Sequence, residues 1–220
     1  MRSKVFAAFA VASVAFAATA SAQVAGLPVY NSGIGTGIGI NADVGFPNAN
    51  AGKGHTYALT GSAGLGPLGF SAIVASNKPD GGTSDTWVGA TANIKLFGGP
   101  LIPITVNAQV GLGYASNIQG GGGKQLNVPV GLGIVANIPS PALSIKPWIA
   151  PRLQYVRFEQ GGITKTQSKF GFSAGVNLGL AGGLGFRAAY DTFQLDGGGT
   201  TVSLSTFSVG VGYNIHVPGL

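Results

Sequence analysis

Apolar and polar residues alternate with period two along most of this chain. In residues 104–115, ITVNAQVGLGYA, one face carries Ile104, Val106, Ala108, Val110, Leu112 and Tyr114. The other carries Thr105, Asn107, Gln109, Gly111 and Gly113. Residues 126–138, 170–180 and 207–217 repeat the pattern: Val, Ile, Leu and Phe on one side, Gly, Ser and Asn on the other. Alternation sustained over 10–13 residues predicts β-strands. These are long beside the usual ~5–6 residues. Weaker alternation marks 30–43, 55–65, 70–77, 86–96, 145–158 and 184–195. The pattern predicts about ten strands, with eight or twelve as alternatives. No segment beyond the first 22 residues has a convincing helical period.

The connections alternate in kind. Compact Gly/Pro-rich segments lie at 66–69, 97–103, 139–144 and 181–183. Mostly longer, more polar ones lie at 44–54, 77–85, 116–125, 159–169 and 196–201. The chain therefore reads as one up-and-down antiparallel meander, with tight turns at one end and polar loops at the other. Pro129, Pro147 and Pro151 fall inside predicted strands, where each removes a ladder hydrogen bond, and bulges are expected there.

Composition decides which face meets solvent. Charged residues are only 8% of the chain, against about 25% in an average soluble domain. Glycine is 39 of 220 residues, yet 45% of the chain is apolar. The polar face is too uncharged for a soluble surface and too small for a packed core. Both faces fit if the apolar one meets lipid and the small polar one lines a narrow lumen, with closure pairing every backbone group. The stretch GIGTGIGINAD, 33–43, puts Gly33, Gly35, Gly37 and Gly39 on one face of the first predicted strand. Glycine brings nothing to pack, so on a lumen face it makes room for bulky residues from other strands; alternatively, it relieves strain at a bend where the sheet coils. Gln109, Trp148, Arg152, Gln154, Arg187 and Phe193 have the inward phase. Tyr57, Trp87, Tyr114, Tyr155, Tyr190 and Tyr213 lie at strand ends and are expected in interfacial girdles.

Residues 1–22 stand apart. Arg2 and Lys4 precede an apolar run that ends in Ala20-Ser21-Ala22, the pattern of a cleaved signal peptide. The expected mature domain is 23–220. Removing Arg2 and Lys4 from the 12 basic side chains leaves 10 against 6 acidic ones, a net +4. That is too sparse a charge for nucleic-acid binding. The chain has no cysteine, so neither disulfides nor thiolate metal sites arise.

Signal peptide, Gly-alternating strands and short turns opposed to longer polar loops together resemble the small outer-membrane β-barrel proteins of diderm bacteria. The resemblance implies an outer-membrane location, periplasmic termini and insertion by the barrel-assembly machinery. These barrels commonly end on an aromatic residue, whereas this chain ends IHVPGL. Some such barrels are enzymes, but His55 and His216 fall at opposite ends of the predicted barrel. No catalytic site, cofactor or metal is expected. The leading expectation is a non-enzymatic barrel with a narrow or plugged lumen, serving envelope structure or limited passage of small solutes. Alternatives are an adhesin, receptor or lipopolysaccharide-binding barrel acting through its loops, or a soluble secreted barrel. A luminal plug is expected from mutual pairing of Arg152, Arg187 and Asp191. Lys53, Lys78, Lys124, Arg157, Lys165 and Lys169 are candidate outer-rim cations for lipopolysaccharide phosphates. A monomer embedded in outer-membrane lipid is expected.

Overall fold

The computed structural model describes residues 24–98, 102–118, 120–138, 140, 143–197 and 200–215. The predicted signal peptide and His216 lie outside the described residues. Ten antiparallel strands close into one barrel in sequence order. They are β1 (Gly37–Pro47), β2 (His55–Leu65), β3 (Leu68–Lys78), β4 (Asp85–Phe97) and β5 (Ile104–Ile118), then β6 (Gly123–Ala136), β7 (Leu143–Gln160), β8 (Ile163–Leu180), β9 (Leu184–Gly197) and β10 (Thr200–Ile215). The seam joins β1 to β10, with Ile38 opposite Ile215 and Pro47 opposite Thr206.

The alternation resolves as an apolar face outside and a small polar face on the lumen. Val110 and Leu132 are exposed outward, while Gln109 is buried. The outward belt of Ile, Leu, Val, Phe and Tyr continues around the barrel. Trp148 and Phe193 are buried on the inward face. Of the residues expected in the girdles, Tyr57, Tyr114, Tyr190 and Tyr213 are exposed, but Trp87 is not. It sits on the inward phase of β4, fully buried.

Three strand expectations are corrected. First, β1 begins at Gly37, so residues 30–36 are not strand. Second, β7 and β8 run 18 residues each. The segment 159–169, expected as a loop, is mostly strand closed by the two-residue turn Gly161-Gly162. Both glycines have positive φ (58° and 80°), as a tight hairpin requires. A tilted strand needs only ~9–11 residues to cross hydrocarbon, so both strands are longer than such a crossing requires. Pairing of β8 with β9 spans only Gly171–Gly179. Above Gly171 the hairpin is tied to β9 by Gln167, which bonds both backbone groups of Asp196 at 2.6 and 2.7 Å.

Third, the three prolines do not shift the register. β7 pairs with β8 without interruption from Leu143 to Gln160. The β6–β7 ladder instead skips Leu132 and Gly133 against Ala150 and Pro151, beside a proline with no N–H to donate. The register shifts that do occur lie between Lys95 and Phe97 and between Ser116 and Ile118, where Asn117 has φ 71°.

Candidate functional site

Residues 24–36 run inside the barrel, from the loop end of the lumen down to the turn end, where β1 begins. At the loop end Val24 and Leu27 pack in one buried cluster with Ala58, Ala75, Trp87 and Ala115. The carbonyl of Ala25 accepts a hydrogen bond from Thr56 Oγ1 (3.0 Å), and Gly26 takes φ 74° to turn the chain. Midway, Val29 N–H donates to Asp191 Oδ2 (3.2 Å). Lower still, Asn177 Nδ2 donates to Ser32 Oγ (2.8 Å).

Two buried ion pairs grip the middle of this segment. Arg152 lies against Asp191 at 2.9 Å, both side chains 2% exposed. Arg152 Nη1 also donates to Ser173 Oγ (2.8 Å), and its Nε to Gln154 Oε1 (3.1 Å). Ser173 Oγ donates in turn to Asp191 Oδ2 (2.5 Å). Every nitrogen of this guanidinium and both oxygens of this carboxylate are therefore hydrogen-bonded, the condition under which a buried pair is tolerable. In the second pair Arg187 Nε donates to Asp43 Oδ1 (2.6 Å), and Nη2 contacts Oδ2. Tyr30 completes this group. Its hydroxyl donates to Asp43 Oδ1 (3.2 Å) and lies 2.5 Å from Ser208 Oγ, and its ring carries the Arg187 guanidinium at 4.0 Å. Trp148 flanks the same ring at 6.1 Å.

The three residues expected to pair are thus divided between two groups. Arg152 and Asp191 meet; Arg187 turns away from Asp191 to Asp43, which sequence reasoning missed. The register shows why. Gly210 of β10 stands opposite both Asp43 and Arg187, and without a side chain it lets them touch across it. A Cβ on Gly210 would fall on Asp43 Oδ1.

The same rule governs the other inward glycines. Gly171 faces the Arg152 guanidinium, and a Cβ there would sit 2.9 Å from Cζ. Gly175 makes room for the Trp148 ring (2.7 Å to Cζ2). Gly45, Gly64 and Gly133 give way to backbone of the threaded segment, at the carbonyl oxygens of Gly26, Gly35 and Asn31 respectively.

Of the candidate rim cations, Lys53, Lys78, Lys124, Arg157 and Lys165 are exposed at the loop end. Lys165 has the inward phase of β8, opposite Phe158. Among the described residues two of the six form ion pairs: Arg157 with Glu159, and Lys169 with Asp196 at 2.5 Å.

The family model for the outer membrane protein beta-barrel domain matches residues 7–214. The chain belongs to that family. It is accordingly an outer-membrane protein. No curated protein sequence matches it. Among solved structures it resembles the N-terminal β-barrel domain of Pseudomonas aeruginosa OprF, at 11% identity over 82% of this chain and 98% of that one, TM-score 0.39. It also resembles Neisserial surface protein A (14%, 82% and 98%, TM-score 0.39) and the outer membrane protease OmpT from Escherichia coli (10%, 82% and 94%, TM-score 0.44).

Proposed function

We propose that this protein is a non-enzymatic outer-membrane barrel whose lumen is closed by its own N-terminal segment. Its role would be in envelope structure, with passage limited to small solutes. The observation that carries this reading is the course of residues 24–36 through the lumen, gripped by the Asp191 and Asp43 ion pairs. Ten strands lie nearer the filled eight-stranded barrels than the 16–18-stranded porins with aqueous channels. A peptide segment is enough to occlude such a lumen. On this reading the partners are lipid and, through unpaired rim cations such as Lys53 and Lys124, lipopolysaccharide phosphates.

Planar-bilayer recordings test the closure. The whole mature barrel is expected to show little conductance, and a barrel lacking residues 24–35 to conduct in steady, larger steps. A large stable pore in the intact protein overturns the reading, as does a truncated barrel that folds and stays silent.

A further inference from the structure

The lumen is not filled throughout. A cavity of about 590 Å³ runs beside the threaded segment, with Val24, Leu27 and Tyr30 as well as residues 32–36 among its walls, and opens toward the turn end. That volume lies in the range of small-molecule sites, about 300–1,000 Å³. Its lining is selective in two respects.

The first is the density of groups that both donate and accept. Asn41, Asn93, Asn137, Asn177 and Asn214 line the cavity alongside Ser and Thr hydroxyls. Two buried groups there have no protein partner: Asn107 Nδ2 and Thr60 Oγ1. Both residues are over nine-tenths buried and line the cavity. A buried donor without a partner costs free energy unless water or a ligand satisfies it. Amides and hydroxyls in this number match the donor–acceptor hydroxyls of a polyol.

The second is charge. Lys95 and Lys146 line the mouth and Arg187 lies deeper, and no described lining residue is a carboxylate. Asp43 already neutralises Arg187, so the two lysines give the vestibule its net sign. Both occupy inward positions, Lys95 opposite Asn107 and Lys146 opposite Asn177, facing away from the apolar belt.

We propose that the turn-end vestibule binds a small polyhydroxylated anion, of the sugar-phosphate or sugar-acid class. The amides and hydroxyls hold its hydroxyl groups, and Lys95 and Lys146 hold its charge. This site is open from the turn end and does not depend on whether the barrel conducts.

Calorimetry on the folded full mature chain in nonionic detergent tests it, with glucose 6-phosphate, glucose and inorganic phosphate as probes. Glucose 6-phosphate is expected to bind most tightly. The double variant Lys95→Gln, Lys146→Gln should weaken it by about a hundredfold, roughly tenfold for each charge-assisted contact. Asn107→Leu should weaken glucose 6-phosphate and leave inorganic phosphate unchanged. Raising salt on the wild-type protein should weaken glucose 6-phosphate more than glucose, a test that needs no variant to fold. The proposal is overturned if glucose 6-phosphate does not bind. Equal binding by glucose removes the role of the lysines. Equal binding by inorganic phosphate, unaffected by Asn107→Leu, removes that of the amides.

Discussion

The two halves of the lumen are built on the same alternation and differ in what is threaded through them. In the loop-end half, Val24 and Leu27 of the threaded segment meet Trp87 and the small inward residues Ala58, Ala75 and Ala115, and all are buried. In the turn-end half, the segment supplies Ser32, Gly33, Gly35 and Thr36 against a wall of amides and hydroxyls, and a cavity remains. The halves meet at the Arg152–Asp191 and Arg187–Asp43 pairs. A barrel interior is thus decided by its occupant as well as by its wall: apolar residues pack into a buried cluster in one half, and small polar ones leave the other wider.

The substitution with the largest expected effect lies at that boundary. Asp191→Ala removes the partner of Arg152 and the acceptor for Val29 N–H. Breaking a buried pair and leaving one charge behind should cost about 3–5 kcal/mol, read as a lower midpoint in denaturant unfolding from detergent. An unchanged midpoint would mean that water already reaches the boundary and that the halves are not distinct.

Next comes the loop-end half itself. Leu27→Ala leaves a hole in a buried cluster and should cost about 2–4 kcal/mol. Ile34→Ala beside the open vestibule should cost clearly less, and equal losses would erase the contrast. Gly133→Val comes third, at about 1–3 kcal/mol from overpacking. Its side chain falls on the carbonyl of Asn31 without touching either ion pair. It should loosen the threaded segment, seen as faster proteolysis near residues 24–36 and raised conductance. Smallest is Lys169→Ala, which breaks an ion pair at the exposed rim and should change stability by less than about 1 kcal/mol. A larger loss would give the tall hairpin a structural role in the barrel.

The sequence showed most clearly where lipid imposes a rule. Outside, every second residue must be apolar, and Val110, Leu132, Phe170 and Phe207 announced themselves. Inside, the inward phase of Arg152 and Arg187 was equally plain. At the loop end of β8 that rule lapses. Residues 164–169 are polar on both faces, so a strand there looked like a loop. The course of 30–36 was hidden for another reason: alternating glycines suit a strand, and they equally suit a segment passing close to other backbones. The partner of Arg187 was hidden by closure. Asp43 lies on the first long strand and Arg187 on the ninth, and only the β1–β10 seam brings them together across Gly210.

The threaded segment has a consequence for kinetics. It is joined to β1 through Gly35, Thr36 and Gly37, so once withdrawn it remains a tethered ligand of the lumen it left. A short tether holds its cargo at an effective concentration in the millimolar range. Rebinding is then a first-order event, independent of how much protein the membrane holds. Each opening would be brief by default, and a lasting one would need something else to hold the withdrawn segment.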